Sequence, residues 1–444
     1  MFVLAMRSVR HRPGRFTATL LAAFLGAAVM MTFHSMHDTA GATGVDDVSA
    51  ETLTLTASVV GGYGTLLVFF AVASTLTVNV RQRAEEIGLL RSAGATPAQL
   101  KRMVVGEAAV VALAGALLAV GPAMLGGQAL LGAFQDSGQV ARDVEHVFGP
   151  VALLSGAGTT LVASVGAAFL AVRRATGAAG ARESRGLVRR FAGWAALVAG
   201  AAGVSATFTM KPTDGALMAA PAFGAIMLAV GFAFFSPPLL RALLGLLERP
   251  VTALTGASGY LTVRTMRHRA AELSGVLMPL VLFTGIATAT LCMQAIESDA
   301  LRASGLTKSV EDKNLETLNY VVVGIIVVFS CVMLINTLYA ATSFRRREFG
   351  QQRLAGATPA QVLGMVGVEG LVLTVTGVFF GTVAGLAGIA SFGLVRDDSL
   401  WPGQGLGIWL GVVAVATAAT LITSLGTARR SLRTPAVRAV AVET

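Results

Sequence analysis

About ten runs of mostly apolar residues follow one another along this chain, each long enough to cross a lipid bilayer as a helix. They fall at 16–36, 53–80, 104–134, 151–172, 191–208, 216–240, 273–293, 317–342, 362–392 and 405–425, the fifth being the shortest. Nothing else in the sequence constrains folding as strongly. Hydrophobic residues make up 54% of the chain and charged residues only 13%, against roughly 25% charged in a soluble domain. Such a chain needs lipid as its solvent, and an all-α integral membrane protein is expected.

The loops sort by charge. Arginine and lysine collect before the first run, after the second, after the fourth, before the seventh, after the eighth and after the tenth. The alternate loops are acidic or balanced. Because an excess of basic residues marks the cytoplasmic side, the pattern predicts a multi-pass membrane protein with both termini in the cytoplasm. The first run is long and lacks a clear cleavage site, so it is read as a retained helix. The net charge of +10 is then topology and attraction to the lipid bilayer, and no nucleic-acid partner is expected. Cys292 and Cys331 both sit in apolar runs and read as small buried hydrophobes, with no metal site implied.

One segment is written twice. Residues 86–99 and 348–361 agree at ten of fourteen positions, including the whole of "AGATPAQ". An arginine-rich echo, "RSVRHR" from Arg7 and "RTMRHR" from Arg264, precedes the first apolar run of each half. The chain is therefore a tandem, parallel repeat of a four-helix unit with two bridging helices: 1–172, then 173–256, then 257–444.

The local chemistry of the repeated segment is specific. Thr96 and Thr358 suit helix N-caps, with Pro97 and Pro359 at the first helical position and Gln99 and Gln361 completing capping boxes. Gly94 and Gly356 suit a left-handed residue ending the short helix before them. Each segment thus reads as a surface helix, a tight turn and the start of a membrane helix.

Within the apolar runs, Gly115, Ala119 and Ala123 recur at four-residue spacing, as do Gly377, Gly381 and Gly385 in the same register of the repeat. Small residues so spaced allow close approach of helices, and paired tight contacts of the third and ninth helices are expected. No ionisable residue lies at mid-depth; Glu107 and Glu369 lie near the cytoplasmic boundary, which argues against proton-driven transport. No catalytic or metal-ligating arrangement stands out, and no substrate-binding residue can be assigned.

At "EIGLLRSAGATPAQL" from Glu86 and "EFGQQRLAGATPAQV" from Glu348 the sequence resembles the FtsX-like permease family, the membrane subunits of MacB- and LolCDE-type ABC transporters. The tail "LRTPAVRAV" from Leu432 is similar to that family's ending. With about ten helices the arrangement is also similar to fused permeases of the bacitracin-exporter (BceAB) type, but the outer loops are too short for the large extracytoplasmic domain usual there.

The resemblance implies a non-catalytic permease subunit that couples ATP hydrolysis by a separate cytoplasmic ABC ATPase, in two copies, to export or extraction of an amphiphilic or hydrophobic substrate. The alternatives are a mechanical signalling subunit that moves no cargo, and a stand-alone carrier. ATP and magnesium would be bound by the partner, since no lysine here follows a phosphate-cradling glycine pattern. The ATPase-coupling residues implied are Glu86, Ile87, Gly88, Arg91, Gly94, Ala95 and Thr96 in the first copy. Their counterparts are Glu348, Phe349, Gly350, Arg353, Gly356, Ala357 and Thr358. The glutamates and arginines are expected to make polar contacts to the ATPase.

Overall fold

The computed structural model describes residues 17–58, 88–90, 92–136, 138–176, 181–212, 217–303, 345–396 and 400–437, with single positions at 68, 72, 324, 331, 334, 335, 338 and 342. Among these residues there are helices and no strands. In chain order the helices are α1 (Thr17–Ala40), α2 (Pro97–Asp136), α3 (Pro150–Thr176), α4 (Ala181–Thr207), α5 (Ala219–Phe234), α6 (Ser236–His268), α7 (Ala270–Ala303), α8 (Arg346–Leu354), α9 (Pro359–Arg396) and α10 (Gly405–Leu432).

Six of them, α1, α2, α3, α7, α9 and α10, are long and apolar enough to cross a membrane, and a bent α5–α6 pair brings the number to seven if it counts as one span. The chain is an all-α membrane protein, but ten spans are not reached among the described residues. The expected spans at 53–80 and 317–342 lie largely outside those residues. The expected fifth span falls in α4, which opens on the basic stretch "ARESRGLVRR" and is not among the helices long and apolar enough to cross a membrane. The sixth, read as continuous to Leu240, instead breaks at Phe235, where the chain turns by 77° into α6. Ser236, Pro237 and Pro238 explain the break: two prolines open the new helix, and each removes a backbone donor that could have continued the old one.

By internal contacts the chain divides into two compact units, Met1–Ala181 with Thr307–Val332, and Arg182–Leu306 with Met333–Thr444. The first holds α1 to α3 and the second α4 to α10.

In the first unit α1 packs on both α2 and α3. A methyl group added at Gly115 would sit 2.9 Å from the Phe24 backbone nitrogen and 3.0 Å from the Ala23 side chain. Glycine is thus what lets α1 and α2 meet. Thr32 Oγ1 crosses the same seam to donate to the Ala123 carbonyl at 3.3 Å. At the α3 end of the same seam Asp38 accepts hydrogen bonds from the backbone N–H groups of Gly149, Val151 and Ala152 at 3.1, 3.1 and 2.8 Å. It thereby satisfies orphan donors at the start of α3. His146 Nε2 lies 3.0 Å from Ser35 Oγ, in space that only a glycine at position 127 leaves open.

The second unit repeats the seam between α7 and α9. Gly377 faces Leu280, Gly381 faces Thr284 and the Gly285 nitrogen, and Gly385 faces the Gly285 carbonyl. Thr284 Oγ1 donates to the Gly377 carbonyl at 3.0 Å. Gly115 and Gly377 are separated by the offset of the "AGATPAQ" segments, and their neighbours Ala23 and Leu280 by the offset of the arginine-rich echoes. The two halves therefore make the same contact with the same register. The small-residue stripes of α2 and α9 pack on α1 and α7 respectively, each within its own unit.

The bridging helices pair through glycines as well. Gly200 and Gly203 on α4 meet Leu228 and Gly224 on α5, while Gly231 meets Leu197. α5 also lies against α7 and α9, with Gly388 of α9 admitting the Pro221 carbonyl.

Candidate functional site

Both copies of the repeated segment form the same elbow. In the second, α8 ends at Leu354 and Gly356 takes φ +98°. The Ala357 N–H reaches back to the Gln352 carbonyl at 2.9 Å and the Gly356 N–H to the Arg353 carbonyl at 3.1 Å. That double closure around a left-handed glycine is the Schellman ending of a helix. In the first copy Gly94 has φ +92° and the Ala95 N–H reaches the Leu90 carbonyl at 2.9 Å.

The next helix starts at once in both. Thr96 N–H donates to Gln99 Oε1 at 2.9 Å, and the Gln99 N–H donates back to Thr96 Oγ1 at 3.3 Å. Thr358 and Gln361 repeat this at 2.8 and 3.3 Å. Reciprocal capping satisfies two orphan donors and fixes the entry angle of the helix. Each elbow is thus a rigid corner, not a slack loop.

The corners are also accessible. Gly94, Thr96, Gly356 and Thr358 are exposed, as is Gly88, and a methyl group added at Gly88, Gly94 or Gly356 would meet nothing within 4 Å. Glu86, Ile87 and Arg91 lie outside the described residues. Where the first elbow presents the exposed leucines Leu89 and Leu90, the second has Gln351 and Gln352 at the matching positions. The two corners share a backbone and differ in surface chemistry.

The other side chains of the second copy point inward. Phe349, 2% exposed, is buried with Val362, Val366 and Ala428, and Gly350 is buried beside it. Ala357 is half-buried and packs on the same cluster. This pins α8 to α9 and α10. Arg353 Nη1 donates to the carbonyls of Leu432 and Thr434 at 3.1 and 2.8 Å, capping the end of α10. Glu348 accepts from Arg269 at 3.0 Å and from Arg345 at 2.9 and 3.2 Å. Arg345 in turn donates to Glu369 on α9.

Glu348 and Arg353, expected as polar contacts to an external partner, thus hold α8 to its own unit. Partial burial by itself raises the Glu348 pKa, but the hydrogen bonds and charges of Arg345 and Arg269 outweigh it and hold the carboxyl below its usual range. The arginine just ahead of α7, the elbow helix, the start of α9 and the end of α10 are in this way joined at one end of the second unit.

Arg269, Arg345 and Glu369 were not singled out from sequence as a group. A signal was present: an arginine precedes the motif glutamate by three residues in both copies (Arg83 and Glu86, Arg345 and Glu348), and Glu107 and Glu369 share a register position. Glu107 is 2% exposed, while Arg83 lies outside the described residues. Among the described residues no cluster of His, Cys, Asp or Glu could hold a metal ion.

A family model described as FtsX-like permease C-terminal matches residues 58–179 and again 320–436, more than half of the chain. Each match spans one elbow and the helices around it. Comparison with curated proteins gives no match.

Proposed function

Because this chain belongs to the FtsX-like permease family, and so is a permease subunit of an ABC transporter, we propose that its two elbows are the footholds on which a separate cytoplasmic ATPase acts. One observation carries the reading: each elbow is exposed at its corner and rigid in its backbone, and the second is tied to α9, to α10 and to Arg269 just before α7. A push on the Gly356 corner is delivered through Phe349 and Arg353 to α9 and α10, and through Glu348 and Arg345 to Arg269 and Glu369. A loop tied only to its own flanking residues would absorb such a push.

Two footholds accommodate two ATPase copies, which bind ATP and magnesium, and the membrane subunit itself is not catalytic. The cargo is amphiphilic or hydrophobic and leaves the bilayer outward, a direction that rests on family analogy. Glutamate placed at the exposed corner positions Ala98 and Ala360 tests the footholds. With the ATPase co-expressed, A98E and A360E each weaken co-purification and the double variant abolishes it, while folding is unchanged. Undiminished co-purification of the double variant would remove the footholds from the account.

A further inference from the structure

Between α5 and α7 the chain does not continue straight. It leaves α5 with a 77° turn, runs along the first part of α6, and reverses at Gly256, which has φ +63° and ψ −141°. The returning part brings Arg267 back to Glu248, 2.9 Å away, so the excursion is a closed helical arm. Arg269, directly after it, bonds to Glu348, which places the arm at the same end of the second unit as the elbow.

A helix that turns by 77° out of a membrane-spanning direction runs nearly along the membrane plane. Its two faces are distinct. Ser236, Leu240 and Leu244 are 2%, 0% and 0% exposed and share one side of the helix at four-residue spacing. The opposite side carries Arg241, Gly245 and Arg249, all exposed, with Leu246 73% exposed at its edge. Glu248 is occupied by Arg267, so the outward charge of this face is positive. At the root of the arm, Arg189 donates to the Phe234 carbonyl at 3.0 Å, and Trp194 meets the Phe235 ring edge-on at 5.5 Å. Trp194 is 61% exposed, and Phe191 beside it 78%. Exposed aromatic rings beside arginines are what the headgroup layer selects.

From this placement we infer that the α6 arm lies in the membrane–water interface and binds the phosphate headgroups of anionic lipids through Arg241 and Arg249. The interleaving of exposed leucine and aromatic rings with the arginines favours lipid over a second protein, because a bilayer offers apolar chains and anionic phosphates at adjacent depths. The inference does not depend on the ATPase footholds.

The test uses the full chain in nanodiscs of phosphatidylcholine, with or without phosphatidylglycerol. An environment-sensitive fluorophore is placed at L246C after replacing Cys292 and Cys331 with alanine. The probe should report a headgroup-level environment that becomes less polar when phosphatidylglycerol is added. Affinity for phosphatidylglycerol, read by native mass spectrometry, should fall about fivefold for each of R241Q and R249Q, and R241K/R249K should retain it. Melting of each variant in pure phosphatidylcholine separates a lost lipid site from a lost fold. Water-like emission in both bilayers, or unaltered phosphatidylglycerol retention by R241Q/R249Q, overturns the proposal. So does emission that changes only when the ATPase is added, since the arm would then be a protein-docking surface.

Discussion

Arg345 donates to Glu369 from a side chain only 7% exposed, while the carboxylate it meets is 14% exposed. Neither partner can lose the other cheaply. Replacing Arg345 with methionine leaves Glu369 nearly buried without its cation, and breaking a buried pair from one side costs about 3 kcal/mol or more. R345M should therefore lower the melting temperature of the purified protein markedly. R345M/E369M should recover much of the loss, because it removes the stranded charge. A double variant no more stable than R345M would show that the pair is not what matters at this position.

At the elbow corners the expected damage is conformational, not steric. The added methyl group at Gly356 meets nothing, but φ +98° disfavours any residue with a side chain. G356V should cost about 1–2 kcal/mol, and G356N distinctly less because asparagine tolerates the left-handed region. Under the foothold reading, G356V also separates ATP hydrolysis from transport while membrane insertion persists. Chemical denaturation of the two variants beside wild type gives the ordering, and equal stability of all three would contradict the assignment of strain.

Inside the membrane the opposite holds. A side chain at Gly381 would strike Thr284 and come within 2.9 Å of the Gly285 backbone nitrogen, which cannot rotate away. G381V should destabilise by about 3 kcal/mol, the upper range for an overpacked core. Gly364, with open space around its added methyl group, should accept alanine without measurable loss. Melting of both variants in the same detergent makes the comparison; similar effects would argue against the close α7–α9 seam.

His146, in the connection between α2 and α3, gives the first unit a pH dependence. Burial pushes its pKa down, and the nearby Asp38 charge opposes this without overcoming it. A histidine whose folded pKa is depressed favours the unfolded state once that state can take a proton. Stability should hold above the ordinary histidine pKa of about 6.5 and decline as the pH falls through the lower folded value. H146Q should flatten this decline. Melting measured from neutral to mildly acidic pH reads it directly, and a wild-type profile that is level across that range would exclude the effect.

What could be read from the sequence was what is local. The Thr96–Gln99 and Thr358–Gln361 caps and the left-handed Gly94 and Gly356 depend on residues three or four apart, so their chemistry is written in order along the chain. The break at Phe235 was equally local, marked by Ser236-Pro237-Pro238, but a hydropathy window averages across it. The ion network was hidden because Arg269 and Glu348 are 79 positions apart and Arg345 and Glu369 are 24 apart. Glu348 and Arg353 illustrate the limit well. A charged residue in an exposed motif reads as available to a partner, and only the fold shows that α9, α10 and the residues before α7 already use it.

The most direct test asks whether the corners face the cytoplasm and are covered by the ATPase. In a chain with Cys292 and Cys331 replaced by alanine, single cysteines at Ala98 and Ala360 are challenged with a membrane-impermeant thiol reagent in inverted membrane vesicles. The account predicts rapid labelling at both positions and protection of both when the ATPase is present. Labelling only from the outer face, or labelling from the inner face that the ATPase leaves unchanged, would contradict it.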